Sequence, residues 1–200
     1  MSGFNTEELR KAAEKAKGVY RSGSNAIHVS ENVSPTEEIM SNVIIATAAN
    51  YGYINHLHNF ECYLNRLNMK ALFLAMDNDM HEYVSHLAPL PFIHTSNSLN
   101  KTTEETGWHE RQGEQENRIF TSFLLKSNEG IILKTHTGFH TPQFHLITVL
   151  KKAGVLALLQ LGYHVLFIDL DVALLRDPLP YLIWSNVDYV HSMNKICSNK

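Results

Sequence analysis

The stretch that most constrains the fold is an apolar run that ends in two aspartates, within Gly162 to Leu182. Its residues Val165 to Ile168 are apolar at every position and follow a turn, a pattern typical of a buried parallel strand. Side chains two residues apart on a strand share a face, so Asp169 and Asp171 are predicted to continue the face of Phe167. Both carboxylates follow the strand's carboxyl end, where open α/β sheets bind ligands.

Two neighbouring carboxylates at the rim of a core need a compensating charge or a proton. At about 4 Å they repel by roughly 1 kcal/mol in water and about 4 kcal/mol at an effective dielectric near 20. A hard divalent cation with oxygen ligands, Mg²⁺ or Mn²⁺, removes the repulsion and shares its coordination shell with substrate phosphates. The alternative stays open that one aspartate caps a turn and the other is solvated, because D-x-D alone is a weak pattern.

Composition excludes several classes of function. The chain has 200 residues, enough for one domain with a sizeable core. Its net charge of −3 gives no basic surface for nucleic acid or an anionic membrane, so we expect no nucleic-acid partner. Cys62 and Cys197 are too few for a disulfide framework and leave the redox compartment open. We expect no membrane segment in this chain, because no run reaches the ~18 apolar residues of a spanning helix.

The pattern divides the chain into a polar N-terminal lead-in or stem, residues 1–40, and a domain over residues 41–200. Within the lead-in, Thr6 to Lys17 is predicted as a surface helix or a mobile stem, because its apolar stripe is thin. Residues 94–117 are polar and show no periodicity, which indicates an insertion or long loop. It includes Asn100, which fits the N-glycosylation pattern.

A strand–helix–strand unit opens the domain. Asn42 to Ala48 is predicted as a strand, Tyr53 to Asn68 as a helix, and Ala71 to Met76 as a second strand. This βαβ pattern implies a parallel sheet. The loop from Ala49 to Tyr53 and the residue Asp77 are therefore predicted at the same carboxyl edge as the D-x-D pair.

The second half of the domain begins with a long helix, Gln143 to Leu161, which Gly162 ends as a C-cap. Asp177 is predicted to cap a further helix that runs to about Trp184. Val187 to Val190 is predicted as a short strand. The apolar face predicted for the long helix comprises Leu146, Val149, Leu150, Ala153, Leu156, Ala157 and Gln160.

Four segments together resemble a known family, the nucleotide-diphospho-sugar transferases related to the pectin xylosyltransferases and extensin arabinosyltransferases of the plant and algal Golgi. The first three resemble its nucleotide-binding strand and loop, its second strand, and the helix before its D-x-D strand. The fourth resembles its D-x-D signature. In chain order they are VIIATAANYGY, ALFLAMD, FHLITVLKKAGVLALLQLGY and VLFIDLDVALLRDPLPYL.

This resemblance implies a GT-A fold, which is an α/β fold with a Rossmann-like, mainly parallel sheet and helices on both faces. It implies transfer of a sugar from a nucleotide-diphosphate donor, with a UDP-sugar favoured, to a glycan or glycoprotein acceptor in the Golgi lumen. It also implies Mn²⁺ or Mg²⁺ as cofactor and retention of the anomeric configuration.

The resemblance also implies roles for individual residues. Asp169 and Asp171 would hold the metal on the donor diphosphate, with Asp169 also near the ribose. Asp77 would face the base or ribose, or is a turn residue at a strand end. Lys151 would approach the phosphates, or is solvated like most helical lysines. The nucleotide pocket would be lined by Thr47, Asn50 and Tyr51.

The chain departs from the family in two ways. It lacks the Golgi signal anchor that usually precedes the domain, and it ends at Lys200, soon after the D-x-D strand. We therefore expect the sheet to be incomplete at its C-terminus and the acceptor half to be missing. A nucleotide-sugar-binding remnant without catalysis is one alternative. A haloacid-dehalogenase-type phosphatase is another, although its motif continues with Gly-Thr and here Val172-Ala173 follow.

Overall fold

A computed structural model describes residues 5–17, 42–87, 118–125, 138, 140–182 and 187–191. The predicted insertion at 94–117 and Asn100 lie outside these residues, as does most of the 1–40 lead-in. The strands are β1 (Val43–Ala49), β2 (Ala71–Ala75), β3 (Phe120–Leu124) and β4 (His164–Phe167), and a 3₁₀ turn covers Tyr51–Tyr53. The helices are α1 (Thr6–Ala16), α2 (Ile54–Arg66), α3 (Asn78–His86), α4 (Pro142–Gln160) and α5 (Leu179–Leu182).

The four strands form one sheet in the order β3-β2-β1-β4, and every neighbouring pair is parallel. Alternate residues of β1 face opposite sides: Ile45 packs with α2 and α3, and Ile44 packs with α1 and α4. The sheet therefore has a helical layer on each face. This confirms the predicted α/β class with a parallel Rossmann-like sheet.

The first helix, α1, belongs to the core. Leu9 and Ala13 are fully buried, and they pack in the same cluster as Ile44 of β1 and Leu158 of α4. The hydroxyl of Tyr163 donates a hydrogen bond to Glu14 of this helix. The predicted helix is therefore confirmed, with its thin apolar stripe buried and its other residues exposed. It packs on the sheet rather than forming a mobile stem, because small side chains let a narrow stripe approach closely.

The face that the long helix α4 buries overlaps only in part with the predicted one. Leu150 and Ala157 are buried as predicted, whereas Val149 and Leu156 of the predicted face are 60% and 39% exposed. Gly154 and Leu158, which were not in the predicted face, are buried. A Cβ atom at Gly154 would lie 2.7 Å from Leu74 Cδ1, so the glycine lets the helix approach β2. The prediction was right only in part because the helix is apolar on nearly all sides and close backbone approach decided the exact face.

Two further differences concern the ends of the chain and of the sheet. β3 has no counterpart in the prediction. Residues 187–191 form no strand and are exposed, so the predicted strand at Val187 to Val190 is wrong. In the described part of the chain, no helix is both long and apolar enough to cross a membrane.

Candidate functional site

The strand order creates a switch point between β1 and β4. From β1 the chain moves to β2 and β3 on one side, and β4 pairs with the other side of β1. The register pairs Ala46 with Phe167, and the N–H of Ile168 donates to Ala46 O over 2.9 Å. Crevices at such switch points, beyond the carboxyl ends of the strands, are where open α/β sheets bind ligands. The D-x-D pair therefore comes at a favourable place for a ligand site.

On one side of this edge, Asp77 ends β2 and holds two backbone segments. Its Oδ1 accepts a hydrogen bond from Met80 N over 2.7 Å, which caps α3. Its Oδ2 accepts one from Tyr51 N over 2.8 Å, which fixes the loop after β1. The side chain is buried, with 8% exposure. Both carboxylate oxygens thus have a backbone partner, as the turn-residue alternative requires, and contact with a base or ribose stays a prediction.

The predicted nucleotide-pocket residues differ in accessibility. Thr47 and Asn50 are fully buried, whereas Tyr51 is 37% exposed. Thr47 lies inside β1, and its Oγ1 has no hydrogen-bond partner among the described residues. In this structure, therefore, Tyr51 is the member of the predicted set that a ligand can reach at the surface. Ligand contacts of all three residues stay predictions.

On the other side of the edge, Lys151 of α4 pairs with Asp169. The distance from Lys151 Nζ to Asp169 Oδ1 is 2.6 Å, and the two side chains are 28% and 52% exposed. The ammonium group also lies 5.9 Å from the centre of the Phe167 ring. Because α4 packs on the face of β4 that carries Phe167, Asp169 continues that face as predicted. The structure thus brings together two residues that the sequence had only placed at one edge.

The D-x-D pair lies beyond β4 rather than within it. The strand ends at Phe167, and Val172 N donates to Asp169 O over 3.2 Å in a turn. Leu170, between the two aspartates, is buried at 6% exposure, while Asp171 is exposed. β4 itself is half-buried, not fully buried as predicted, because it is the outermost described strand on its side of the sheet.

The predicted capping role of Asp177 is confirmed. Its Oδ1 accepts a hydrogen bond from Leu179 N over 2.9 Å, at the start of α5. Residues 183–186, where the helix was predicted to end, lie outside the described part of the chain. Asp177 therefore serves the backbone, in the same manner as Asp77.

One group that the sequence analysis missed lies on α2. Glu61 is buried at 2% exposure, and burial raises the pKa of its carboxyl to about 7. Its Oε2 lies 3.9 Å from His58 Nδ1, and His58 Nε2 lies 3.1 Å from the hydroxyl of Tyr83 on α3. The sequence held a signal for it, because Glu61 falls four residues after Leu57 on the apolar face of the helix.

A groove of about 610 Å³ borders Tyr83. Burial raises the pKa of the Tyr83 hydroxyl, with a smaller contribution from the charge of Glu61. Aromatic rings and acidic side chains thus border the loop after β1. The groove is lined by Tyr51, Asp79, Glu82, Tyr83, His86 and Leu87.

The carboxylates beyond β4 fit a divalent cation that keeps part of its own shell. Within the described ranges, no three His, Cys, Asp or Glu side chains converge to hold a metal ion. Asp169 and Asp171 would therefore supply two oxygen ligands, and water and substrate phosphates would supply the rest, as is usual for Mg²⁺. Asp169 already accepts a cationic partner, the ammonium of Lys151.

Comparisons with known proteins agree with this architecture. The sequence pattern of the nucleotide-diphospho-sugar transferase family matches residues 120–199. The chain is 26% identical over 153 residues to beta-arabinofuranosyltransferase RAY1 of Arabidopsis thaliana, an alignment that covers 76% of this chain and 23% of that protein. The chain therefore spans about a quarter of the length of this relative. No solved structure matches the chain. These two matches, together with the parallel sheet and its helical layers, make the chain similar to the nucleotide-diphospho-sugar transferase family.

Proposed function

We propose that this chain binds the diphosphate of a nucleotide sugar beyond β1 and β4 and forms the donor-binding part of a glycosyltransferase. The observation that carries the proposal is the exposed D-x-D pair at the switch point of the sheet, with Lys151 on Asp169. Similarity to the nucleotide-diphospho-sugar transferase family supports the donor class, because members of that family transfer sugars from nucleotide-diphosphate sugars. The open position of Asp171 supports its role as the direct metal ligand.

The proposed cofactor is Mn²⁺ or Mg²⁺, held by Asp171 and Asp169. When bound, the ion neutralises the charge that develops on the leaving nucleoside diphosphate. Lys151 would hold Asp169 in place before the donor binds and then turn its ammonium toward a phosphate. Tyr51 would contact the nucleoside, and Asp77 would keep the loop after β1 in position through the N–H of Tyr51.

We also propose the finer features that the family resemblance implies. The donor is a UDP-sugar, the acceptor is a glycan or glycoprotein, and the anomeric configuration is retained. The relative is named as a beta-arabinofuranosyltransferase, which supports glycosyl transfer. The proposed compartment is the Golgi lumen, which the family resemblance implies.

Calorimetric binding of UDP, with and without Mn²⁺, tests the donor site. We expect the wild type to bind UDP with Mn²⁺, and Asp171→Ala to lose about tenfold or more of that affinity. Glu7→Ala is the matched control, because it removes an exposed carboxylate from α1, and we expect it to bind like the wild type. Equal affinity in wild type and Asp171→Ala would refute the role of the D-x-D pair.

A short panel of GDP, CMP and ADP separates a different nucleotide from the absence of a site. If a folded wild type binds none of the four nucleotides with Mn²⁺, the proposed donor site is wrong. If one binds, the corresponding radiolabelled nucleotide sugar is then assayed for hydrolysis and for transfer to glycan acceptors. Hydrolysis that requires Asp171 would support the catalytic proposal over a binding remnant.

A further inference from the structure

A series of contacts runs from a buried carboxyl on α2 to the exposed aromatic ring after β1. Glu61 Oε2 lies 3.9 Å from His58 Nδ1, and His58 Nε2 lies 3.1 Å from the Tyr83 hydroxyl. The Tyr83 ring then meets the Tyr51 ring edge-on, with centroids 6.2 Å apart and an interplanar angle of 80°. These four residues link the interior of the α2–α3 layer to the edge of the sheet.

The first contact is electrostatic. A separation of 3.9 Å is too long for a hydrogen bond, but a buried carboxylate still acts strongly on a neighbouring ring. An ionised Glu61 favours a proton on the near nitrogen of His58, Nδ1. In the neutral imidazole, the far nitrogen, Nε2, is then an acceptor.

The second contact follows from the first. With Nε2 as acceptor, the Tyr83 hydroxyl donates its hydrogen bond to His58 over the observed 3.1 Å. The ring of His58 also packs edge-on against Tyr83, with centroids 5.9 Å apart. A hydroxyl and a ring contact together fix the orientation of Tyr83 more closely than either contact alone.

Tyr83 in turn positions Tyr51. The backbone of Tyr51 is already held by Asp77, whose carboxylate accepts the N–H over 2.8 Å. Its ring, 37% exposed, has Tyr83 as an edge-on aromatic neighbour. Asp77 therefore fixes where the residue lies, and Tyr83 fixes where its ring points.

We propose that Glu61, His58 and Tyr83 are positioning residues for Tyr51, which act in series to hold its ring at the carboxyl edge of β1. The charge state of Glu61 determines the tautomer of His58. The tautomer determines the hydrogen bond to Tyr83, and the orientation of Tyr83 in turn affects the ring of Tyr51. The importance of this positioning for ligand binding rests on the proposed function, in which Tyr51 contacts the donor nucleoside.

Other titratable groups face the same region. Asp79, Glu82 and His86 of α3 line the groove with the two tyrosines. Asp77 contacts the backbone of Tyr51 from the end of β2. Among the described residues, Glu61 has the carboxyl whose pKa burial raises into the neutral range, to about 7. A change at Tyr51 near pH 7 that disappears with Glu61→Gln therefore reports on the Glu61–His58 pair.

The test that needs no nucleotide is NMR of the whole chain labelled with [¹³C]tyrosine. Tyr51→Phe and Tyr83→Phe assign the two resonances. Between pH 5.5 and 8.5 we expect both to titrate with a midpoint near pH 7 in the wild type and to become flat in Glu61→Gln. Tyr83→Phe keeps the ring and removes the hydroxyl, so the Tyr51 resonance should lose its titration.

Two results would overturn the proposal. One is a Tyr51 resonance that does not change over this pH range in the wild type. The other is a titration of Tyr51 that persists unchanged in Glu61→Gln or in Tyr83→Phe. Folding of each variant is checked by its thermal unfolding, because a partly unfolded sample would also flatten the titration.

The second measurement links positioning to ligand binding. At pH 8, we expect Tyr83→Phe to weaken Mn²⁺-dependent UDP binding by about fivefold, with no change in the unfolding temperature. Tyr63→Phe is the matched control, since Tyr63 is a partly buried tyrosine on the same helix as Glu61. If the wild type binds no nucleotide, the donor proposal fails while the NMR titration still decides the positioning.

Discussion

Asp77 and Asp169 occupy equivalent places in the sequence and opposite roles in the structure. Each follows an apolar strand at the carboxyl edge of one sheet. Asp77 is 8% exposed and accepts hydrogen bonds from two backbone N–H groups, whereas the Asp169 side chain is 52% exposed and pairs with one lysine. An aspartate that follows a strand therefore does not by itself indicate one structural role, because the residues that come after it determine what it binds.

The difference arises from how soon a helix begins. Helix α3 begins at Asn78, directly after Asp77, and the first turn of a helix has N–H groups without partners in the helix. After Asp169 the chain makes a turn, and α5 begins only at Leu179. The carboxylates after β4 are therefore left available for other ligands, and Asp177 supplies the later cap.

Removing Asp77 tests this comparison with the largest expected effect. We expect Asp77→Ala to lower the free energy of unfolding by about 3 kcal/mol, because α3 loses its cap and the N–H of Tyr51 loses its partner. Urea denaturation measures the loss. Asp171→Ala is the matched control and should lie within about 0.5 kcal/mol of the wild type. Equal losses in the two variants would mean that Asp77 and Asp171 contribute equally to stability, which would contradict the proposed difference between the ends of β2 and β4.

The buried carboxyl of Glu61 is predicted to make the stability of the protein depend on pH, unlike an exposed carboxyl. Its folded pKa, about 7, lies above the ordinary value of 4.5, so the folded state binds the extra proton between these values. The contribution of Glu61 to the free energy of unfolding is therefore most favourable below about pH 4.5. It becomes less favourable as the pH rises to 7, because the buried carboxyl then ionises. Relative to the wild type, Glu61→Gln should gain about 2 kcal/mol between pH 5 and 8.

Denaturant titrations at several pH values measure this gain. Glu7→Gln, which changes an exposed carboxylate on α1, is the control and should follow the wild type at every pH. A stability difference between Glu61→Gln and wild type that stays constant over this pH range would show that Glu61 is ionised in the folded protein throughout.

Gly162 lies where α4 turns into β4, just before the amino end of the strand that the D-x-D pair follows. Its φ of +88° is in the left-handed region, and a Cβ atom there would meet no atom within 4 Å. We expect Gly162→Ala to lose about 1 kcal/mol of stability through backbone strain alone. Gly162→Asn, which tolerates this conformation better, should lose less in the same urea measurement. An equal loss for both would point to a cause other than φ.

The smallest expected effect on stability is that of the ion pair between Lys151 and Asp169. Lys151→Met keeps an apolar stem and removes the charge, and we expect a stability change of no more than about 0.5 kcal/mol because Asp169 is largely solvated. Urea denaturation at low and high salt measures it. A loss above about 1.5 kcal/mol would mean that the Lys151–Asp169 pair stabilises the fold to a degree similar to Asp77.

Much of the architecture was predictable because its signals are local. The apolar runs of β1, β2 and β4 and the Gly162 cap were found from the sequence, and the parallel pairing followed from the intervening helices. β3 was missed because its run is short and its neighbours give no period. The face predicted for α4 was only partly right because a pattern that is apolar on nearly all sides does not specify one buried face.

For the candidate site, the sequence determined that carboxylates stand at the carboxyl ends of β2 and β4, since residue order and strand direction fix that placement. Tertiary structure alone decided that Lys151 meets Asp169, that Asp77 accepts the Tyr51 N–H, and that Glu61 is buried near His58. These facts depend on which helix faces pack against the sheet and how closely. Residue order thus placed the carboxylates at this edge, and packing decided which of them accept backbone hydrogen bonds and which stay exposed to solvent.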